Sequence, residues 1–381
     1  MLSGRLLFVI NHTDFFLSHR LPIALAAADK GLSVHVASMK TPAANQLTYY
    51  NITWHQLPLE AGGMNPFSDL NLLIHLVSLY KSIKPDLIHH VTIKPIIYGG
   101  IASRLTKMPA VVHALSGLGF LFIANDIKTK FIRKILSIFL KFAFTHKNLK
   151  LILQNPDDRR EFVNKNIVNE EKVKIIKGSG VDPNKFKPSP KQQKNTPKIL
   201  FASRMLRDKG LIEFINASEI IVKMGYKAKF ILVGTPDSNN PQSVTKEQLH
   251  KFTKHDFISW EGYRSDMEHV FHESDIVCLP SYREGLPKVL IEAASCGKPI
   301  VTTDVPGCRE IVKNGLNGFL VPPKDSKSLA NAIIKLIDNP ALRKRMGKNG
   351  REMVLKEFTL EKVISDTLNI YQELLKKEYK P

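Results

Sequence analysis

The chain alternates short, β-branched apolar runs with segments of helical period, and it does so twice. Leu6–Ile10, Ser33–Ala37, Leu87–His90, Ala110–Ala114, Lys150–Leu153 and Lys174–Ile176 read as strands, with helix-period stretches such as Leu17–Lys30 and Asp69–Lys84 between them. Apolar strands separated by helices predict a parallel sheet covered on both faces. The rhythm breaks over 178–198, where Pro183, Pro188, Pro190 and Pro197 frame a polar Lys-Gln-Gln-Lys-Asn-Thr run, and this reads as a linker. It then restarts with Ile199–Ala202, Lys229–Val233, Phe257–Trp260, Ile276–Leu279 and Pro299–Thr302. The expected organisation is a doubly wound α/β domain over 1–180, a linker over 181–198 and a second such domain over 199–358. A last helix near 360–378 is expected to cross back onto the first domain. Two doubly wound domains are expected to face a cleft at the carboxyl ends of their strands, where such sheets bind ligands.

Bulk properties narrow the class. With 381 residues, 43% hydrophobic and 24% charged, the chain has an ordinary globular balance and the length for two cores. Cys278, Cys296 and Cys308 form no paired framework and no CxxC spacing, and read as thiols of a reducing compartment. The apolar run ending at Ile10 is cut short by Asn11-His12-Thr13-Asp14, so it reads as a first strand rather than a signal peptide. No run of eighteen apolar residues occurs, which predicts a chain without a membrane span. Asn-x-Ser/Thr triplets at Asn11, Asn51 and Asn216 carry no weight without secretion. The formal net charge is +20, and its excess lies early: residues 1–195 hold 26 Lys/Arg against 12 Asp/Glu. That half is expected to meet an anionic partner, whether lipid headgroups, a phosphorylated acceptor or nucleic acid.

The most informative stretch runs from Pro280 to Ala293 and contains Glu284-Gly285-Leu286-Pro287-Lys288 and, eight residues after Glu284, Glu292. A strand should lead into a polar turn, and a helix should begin near Pro287, a residue suited to a first helical turn. Glu284 would then precede a helix N-terminus, with Glu292 two turns inside. The amides of Gly285, Leu286 and Lys288 would be available to phosphates or sugar hydroxyls, while Pro287 has none. Two glutamates alone are also what an ordinary helix end and its exposed face carry. A second motif, Ser203-Arg204-Met-Leu-Arg-Asp-Lys209-Gly210, follows the first strand of the second half. Two cations five apart at a strand-to-helix turn suit a diphosphate leaving group, although an ordinary basic loop would look similar. Trp260-Glu-Gly262-Tyr263-Arg264 ends another strand with a turn glycine, which would let a flat base lie against the backbone.

Together these residues resemble the GT-B glycosyltransferases of family 4. Arg204 and Lys209-Gly210 match the family's pyrophosphate-binding cations, Glu284 and Glu292 its E-x7-E pair, and Gly178-Ser-Gly-Val-Asp182…Phe186 its interdomain signature. The likeness runs from the first strand to the last helix. It implies a retaining transferase that uses a nucleoside-diphosphate sugar, with UDP and a hexose or N-acetylhexosamine expected; no Asp-x-Asp occurs in the chain, so no metal or cofactor is expected. Arg204 and Lys209 would neutralise the diphosphate, and Glu292 would hold the ribose. Glu284 would face the donor sugar with the Gly285–Lys288 turn, and Gly262, Tyr263 and Arg264 would face the base.

The first half is similar to a subgroup of bacterial transferases that extend lipid-linked oligosaccharides or surface polysaccharides. The carrying residues are His12–Arg20, His89-His90-Val-Thr-Ile-Lys94-Pro95 and Ser116-Gly117-Leu118-Gly119-Phe120. Where many members have His-Gly, this chain has Ser116-Gly117, with His113 three residues earlier. The acceptor-side candidates are therefore His19, His90, Lys94, His113, Ser116 and Gly117, each histidine also being compatible with simple packing. Ile127–Lys150 holds seven Lys/Arg and no acid among large apolar residues. It reads as a basic amphipathic helix for an anionic bilayer, against the plainer reading of a core helix with a solvated face. A cytoplasmic protein peripheral on the inner face of the membrane is expected. An epimerase or phosphorylase on the same scaffold is the alternative within enzymes. A nucleic-acid binder finds support in charge alone, since no zinc spacing or RNP-like motif accompanies it.

Overall fold

A computed structural model describes residues 2–59, 65–117, 127–189, 196–238 and 240–376, with the backbone alone over 127–130. The chain forms two compact units. The first joins Met1–Ser179 to Leu360–Pro381, and the second is Gly180–Thr359.

The first unit holds seven parallel strands: β1 (Gly4–His12), β2 (Leu32–Met39), β3 (Thr53–Gln56), β4 (Leu87–Val91), β5 (Val111–Ala114), β6 (Leu149–Leu153) and β7 (Val173–Ile175). Their order is β3-β2-β1-β4-β5-β6-β7. Side chains of β1 alternate between two layers, as the period of a strand requires. Leu6, Phe8 and Ile10 pack against Ile23 and against Tyr371 of the final helix, Leu360–Lys376. Leu7 and Val9 pack against Leu72, Leu76 and Tyr80 of the helix Pro66–Ile83 on the opposite face.

The second unit repeats the winding with β8 (Lys198–Ala202), β9 (Lys229–Val233), β10 (Ile258–Trp260), β11 (Ile276–Leu279), β12 (Ile300–Thr303) and β13 (Gly318–Val321). All pairings are parallel, in the order β10-β9-β8-β11-β12-β13. In each sheet the winding reverses beside the first strand, between β1 and β4 and between β8 and β11. Loops leaving the carboxyl ends of those strands are where an open sheet binds ligands.

Several sequence expectations need correction. Leu17–Lys30 falls in two helices, Thr13–His19 and Leu21–Asp29, broken at Arg20 (φ −128°), because Pro22 has no N–H to donate to the Ser18 carbonyl and sits instead in the first turn of a new helix. Val181 and Phe186, read as linker, belong to the second core, and Val181 bridges to Thr359. The basic stretch Ile127–Lys150 is not one helix. It is helical only over Ile127–Ala143, and Lys150 stands in β6, 3.0 Å from Glu373. Strands β3 and β13 were not anticipated, being four residues each and, in β3, partly polar.

Candidate active site

Both motif loops of the second unit leave the strands that flank its reversal point. Ser203–Gly210 follows β8, and Pro280–Pro287 follows β11. They are locked together: the amide of Tyr282 donates to the carbonyl of Asp208 at 2.9 Å. Gly210 shows why glycine follows the lysine. Its φ is +77°, and a Cβ there would lie 2.1 Å from the carbonyl oxygen of Pro280.

This close approach brings two predicted residues into contact. Lys209 Nζ donates to Glu284 Oε1 at 2.6 Å, and Ser281 Oγ donates to the same oxygen at 2.7 Å. Both charged side chains are largely buried, 18% and 12% exposed, so the pair is desolvated rather than a surface ion pair. Asp208 belongs to the same electrostatic cluster. Burial pushes its carboxyl up, Lys209 and Arg204 oppose the shift, and Glu284 adds to it. Arg204 lies nearer the surface, and its Nη1 donates to Asp237 in the loop after β9 at 2.7 Å. The turn carrying Glu284 is braced from β12 as well. Glu284 N donates to the Pro306 carbonyl, and a Cβ on Gly307 would sit 2.7 Å from the Glu284 carbonyl oxygen.

The helix after this turn is Lys288–Ser295, with Pro287 as its N-cap rather than in its first turn. No side chain caps it. Glu292 is buried, 3.5 Å from Lys288 on the same helix. Burial pushes its carboxyl up, against the pull of Lys288 and Lys185. Leu286 is buried in the core, so that position can offer a ligand its backbone alone. At the next loop Gly262 has φ +70°, its carbonyl accepts from Gly234, and Tyr263 is exposed. The Arg264 guanidinium is already held by Asp266 at 2.6 and 2.8 Å and by Glu261 at 2.8 Å. These carboxylates make it a scaffold of the loop, not an unengaged cation.

The first unit treats its candidates differently. His90 and His113 are fully buried, with their Nδ1 atoms 3.2 Å apart, and Tyr80 Oη lies 2.7 Å from His90 Nε2. Burial and the neighbouring imidazoles hold both neutral, His113 pushed down to about 3. They are core groups inside the sheet, because β4 and β5 are covered on both faces. Lys94 is tied to Asp69 at 3.2 Å, a partner that neutralises it. His19 stacks on Phe15 and bonds Ser18, at partial exposure. Ser116 and Gly117 leave the carboxyl end of β5, with Ser116 Oγ lacking a partner among the described residues and Gly117 at φ +138°. The predicted Leu118–Phe120 lies outside the described residues.

The sequence reading missed two polar groups on the adjacent strand ends, Asn11 and Thr92. Among the described residues Asn11 Oδ1 and Thr92 Oγ1 are buried without partners, and Thr92 adopts φ +76°, ψ 165°, a region that costs a β-branched residue of order 1–3 kcal/mol. Strain and unmet polar atoms at strand ends mark binding sites. Their one signal in the sequence was position after a strand.

Comparison with known proteins then decides the family. The profile "Glycosyl transferases group 1" matches residues 182–353, and "Glycosyl transferase 4-like" matches 5–153. The chain is a family 4 glycosyltransferase. It is 28% identical to the N,N'-diacetylbacillosaminyl-diphospho-undecaprenol α-1,3-N-acetylgalactosaminyltransferase of Campylobacter jejuni, over 96% of this chain and 98% of that one. It is also 28% identical to the UDP-Gal:α-D-GlcNAc-diphosphoundecaprenol α-1,3-galactosyltransferase of Escherichia coli, over 84% and 83%. The crystal structure of Anabaena HepE in complex with UDP shares the fold, with a TM-score of 0.77 at 21% identity, covering 97% of this chain and 100% of that one. This hexosyltransferase thus has the GT-B fold, two Rossmann-like units with the final helix returned to the first.

Proposed function

We propose that this transferase moves a hexose or N-acetylhexosamine, with retention, from a UDP-sugar to a lipid-linked saccharide in surface glycan assembly. The observation that carries it is the Lys209–Glu284 contact across the reversal point of the second sheet, with Arg204 on the same loop as Lys209. Relatives whose names specify diphospho-undecaprenol acceptors support the acceptor class. In the transfer, the bond from the anomeric carbon to the diphosphate oxygen breaks. Lys209 and Arg204 take up the charge of that leaving group. The acceptor hydroxyl bonds to the same face of the carbon, and its proton passes to the departing phosphate. Glu284, released from Lys209 as the diphosphate engages it, stabilises positive charge on the sugar ring. Glu292 holds the ribose hydroxyls.

The helix Ile127–Ala143 supports work at a membrane surface. Leu136, Leu140 and Ala143 enter the core, while Phe131, Ile138, Phe139 and Phe142 are exposed beside Lys134 and Lys141. On the same layer, Phe67, Leu70 and Ile74 form a second exposed stripe on Pro66–Ile83. Aromatic residues flanked by cations fit an anionic bilayer face, and an inner-leaflet location follows from the acceptor. Among the described residues no helix is long and apolar enough to cross a membrane. Nucleic acid has no place in this reading.

The test is a panel of nucleotide sugars assayed on membranes carrying lipid-linked saccharides. One donor should be consumed and one lipid product extended, and excess EDTA should leave the rate unchanged because Arg204 and Lys209 supply the charge. Loss of activity in EDTA, restored by Mg²⁺ or Mn²⁺, overturns the cation-pair account.

A further inference from the structure

Outside these loops, the first unit buries a cation with no counter-charge among the described residues. Arg20, in the break between Thr13–His19 and Leu21–Asp29, is 5% exposed. Its Nη1 donates to the neighbouring His19 carbonyl at 3.3 Å, and its Nε has no partner among the described residues. Among the described residues no carboxylate forms an ion pair with it. Burial lowers its pKa to about 10, which leaves it charged at neutral pH. A desolvated charge with no opposite charge beside it is among the costliest arrangements in a protein interior.

A second unmet group shares its surroundings. His89, 1% exposed on β4, bonds Tyr371 Oη through Nδ1 at 2.5 Å, while its Nε2 has no partner among the described residues. Burial and then Arg20 hold this imidazole neutral. With Tyr371 donating to Nδ1, the ring proton resides on Nε2 as a donor. Arg20 and His89 line one small cavity together with Gln154 and Thr367. Ala114, Leu115, Ile152 and Ile176 line it from the carboxyl ends of β5, β6 and β7, the ligand-binding edge of the sheet, and Ile23 and Val363 close it from the covering helices. About 10 Å³ is open to the centre of a water-sized sphere, room for about one oxygen atom.

We propose that Arg20, with His89 Nε2 and Gln154, forms a site for one anionic oxygen of a phosphate or diphosphate group. The oxygen would enter the cavity and supply the missing counter-charge, accepting from the Nε–H of Arg20 and the Nε2–H of His89. The group comes either from free phosphate or from the diphosphate of a lipid-linked acceptor. The second source rests on the proposed function; the binding itself does not.

The experiment uses the full chain with Arg204→Ala and Lys209→Ala, which removes the other diphosphate-binding cations. Calorimetric titration with pyrophosphate should show binding that weakens at least tenfold on Arg20→Gln, with Arg20→Lys intermediate. Histidine-labelled protein should report the same titration at the His89 ring nitrogens, a local signal that a change in fold elsewhere would not give. Should Arg20→Gln fail to fold, Gln154→Leu replaces it and should weaken binding severalfold. In the otherwise parental enzyme, a rise in the lipid acceptor KM on Arg20→Gln with kcat maintained assigns the site to the acceptor diphosphate. An unchanged KM with lost pyrophosphate binding assigns it to free phosphate. Absence of pyrophosphate binding to the folded double variant, or equal binding with and without Arg20, overturns the site and leaves Arg20 a packing residue.

Discussion

Glu284 and Glu292 share a spacing but not an environment, and their substitutions should separate kinetically. Glu284 accepts from Lys209 and Ser281 on one oxygen at the head of the Lys288–Ser295 helix. Glu284→Gln removes charge that matters as the sugar becomes cationic, so kcat should fall on the order of 100-fold with a modest change in UDP affinity. Glu292, buried near Lys288, should bind ground and transition states alike. Glu292→Gln should raise the donor KM more than it lowers kcat in steady-state assays. Near-parental kcat for Glu284→Gln would make that residue a helix-end acid. The buried histidines carry a different consequence. His89, His90 and His113 have depressed folded pKa values, so an unfolded chain takes up protons first. Their contribution to stability is intact above about pH 6.5 and is lost as pH falls below it, at up to about 1.4 kcal/mol per pH unit for each. Thermal melts between pH 7 and 5 should show the first unit losing stability faster than the second, which lacks such a cluster among its described residues.

At the level of elements, the helix Ile127–Ala143 divides its apolar residues between core and surface. Reversing Arg133, Lys134 and Lys141 to Glu should weaken sedimentation with anionic vesicles by roughly 1 kcal/mol for each engaged residue, leaving UDP binding untouched. Equal sedimentation of variant and parent would reduce it to a core helix. This division was not legible in the sequence, since a one-signed charge run does not reveal which apolar residues face inward. The motif loops were legible because glycine, proline and strand patterns fixed their place at strand ends. That Lys209 and Glu284 would serve one site came from the family resemblance, and the structure adds their direct contact. What the sequence hid were long-range partners: Asp69 for Lys94, Glu373 for Lys150, and the mutual burial of His90 and His113. Such pairings depend on which strands become neighbours, and β4 meets β5 through a crossover rather than a local turn. The short strands β3 and β13 escaped because four residues carry too little periodicity.

Across the whole molecule, the first core is assembled from both ends of the chain. Val363, Leu368, Ile370, Tyr371 and Leu374 of the final helix lie within it. At about 2 kcal/mol for each buried side chain, they supply roughly 10 kcal/mol, as much as an entire domain's net stability. A chain ending at Thr359 should therefore keep one calorimetric transition, that of the second unit, and lose the other. Retention of two transitions would show that the helix is dispensable. The same connectivity sets an order on synthesis. Residues 180–359 form a contiguous unit whose last core residue, Phe358, is translated before Tyr371 is made. At about 5–20 residues per second, the N-terminal sheet waits on the order of ten seconds or more for its closing helix. The segment translated first is thus the last to be finished, and through that interval its half-covered strands depend on whatever shields nascent chains.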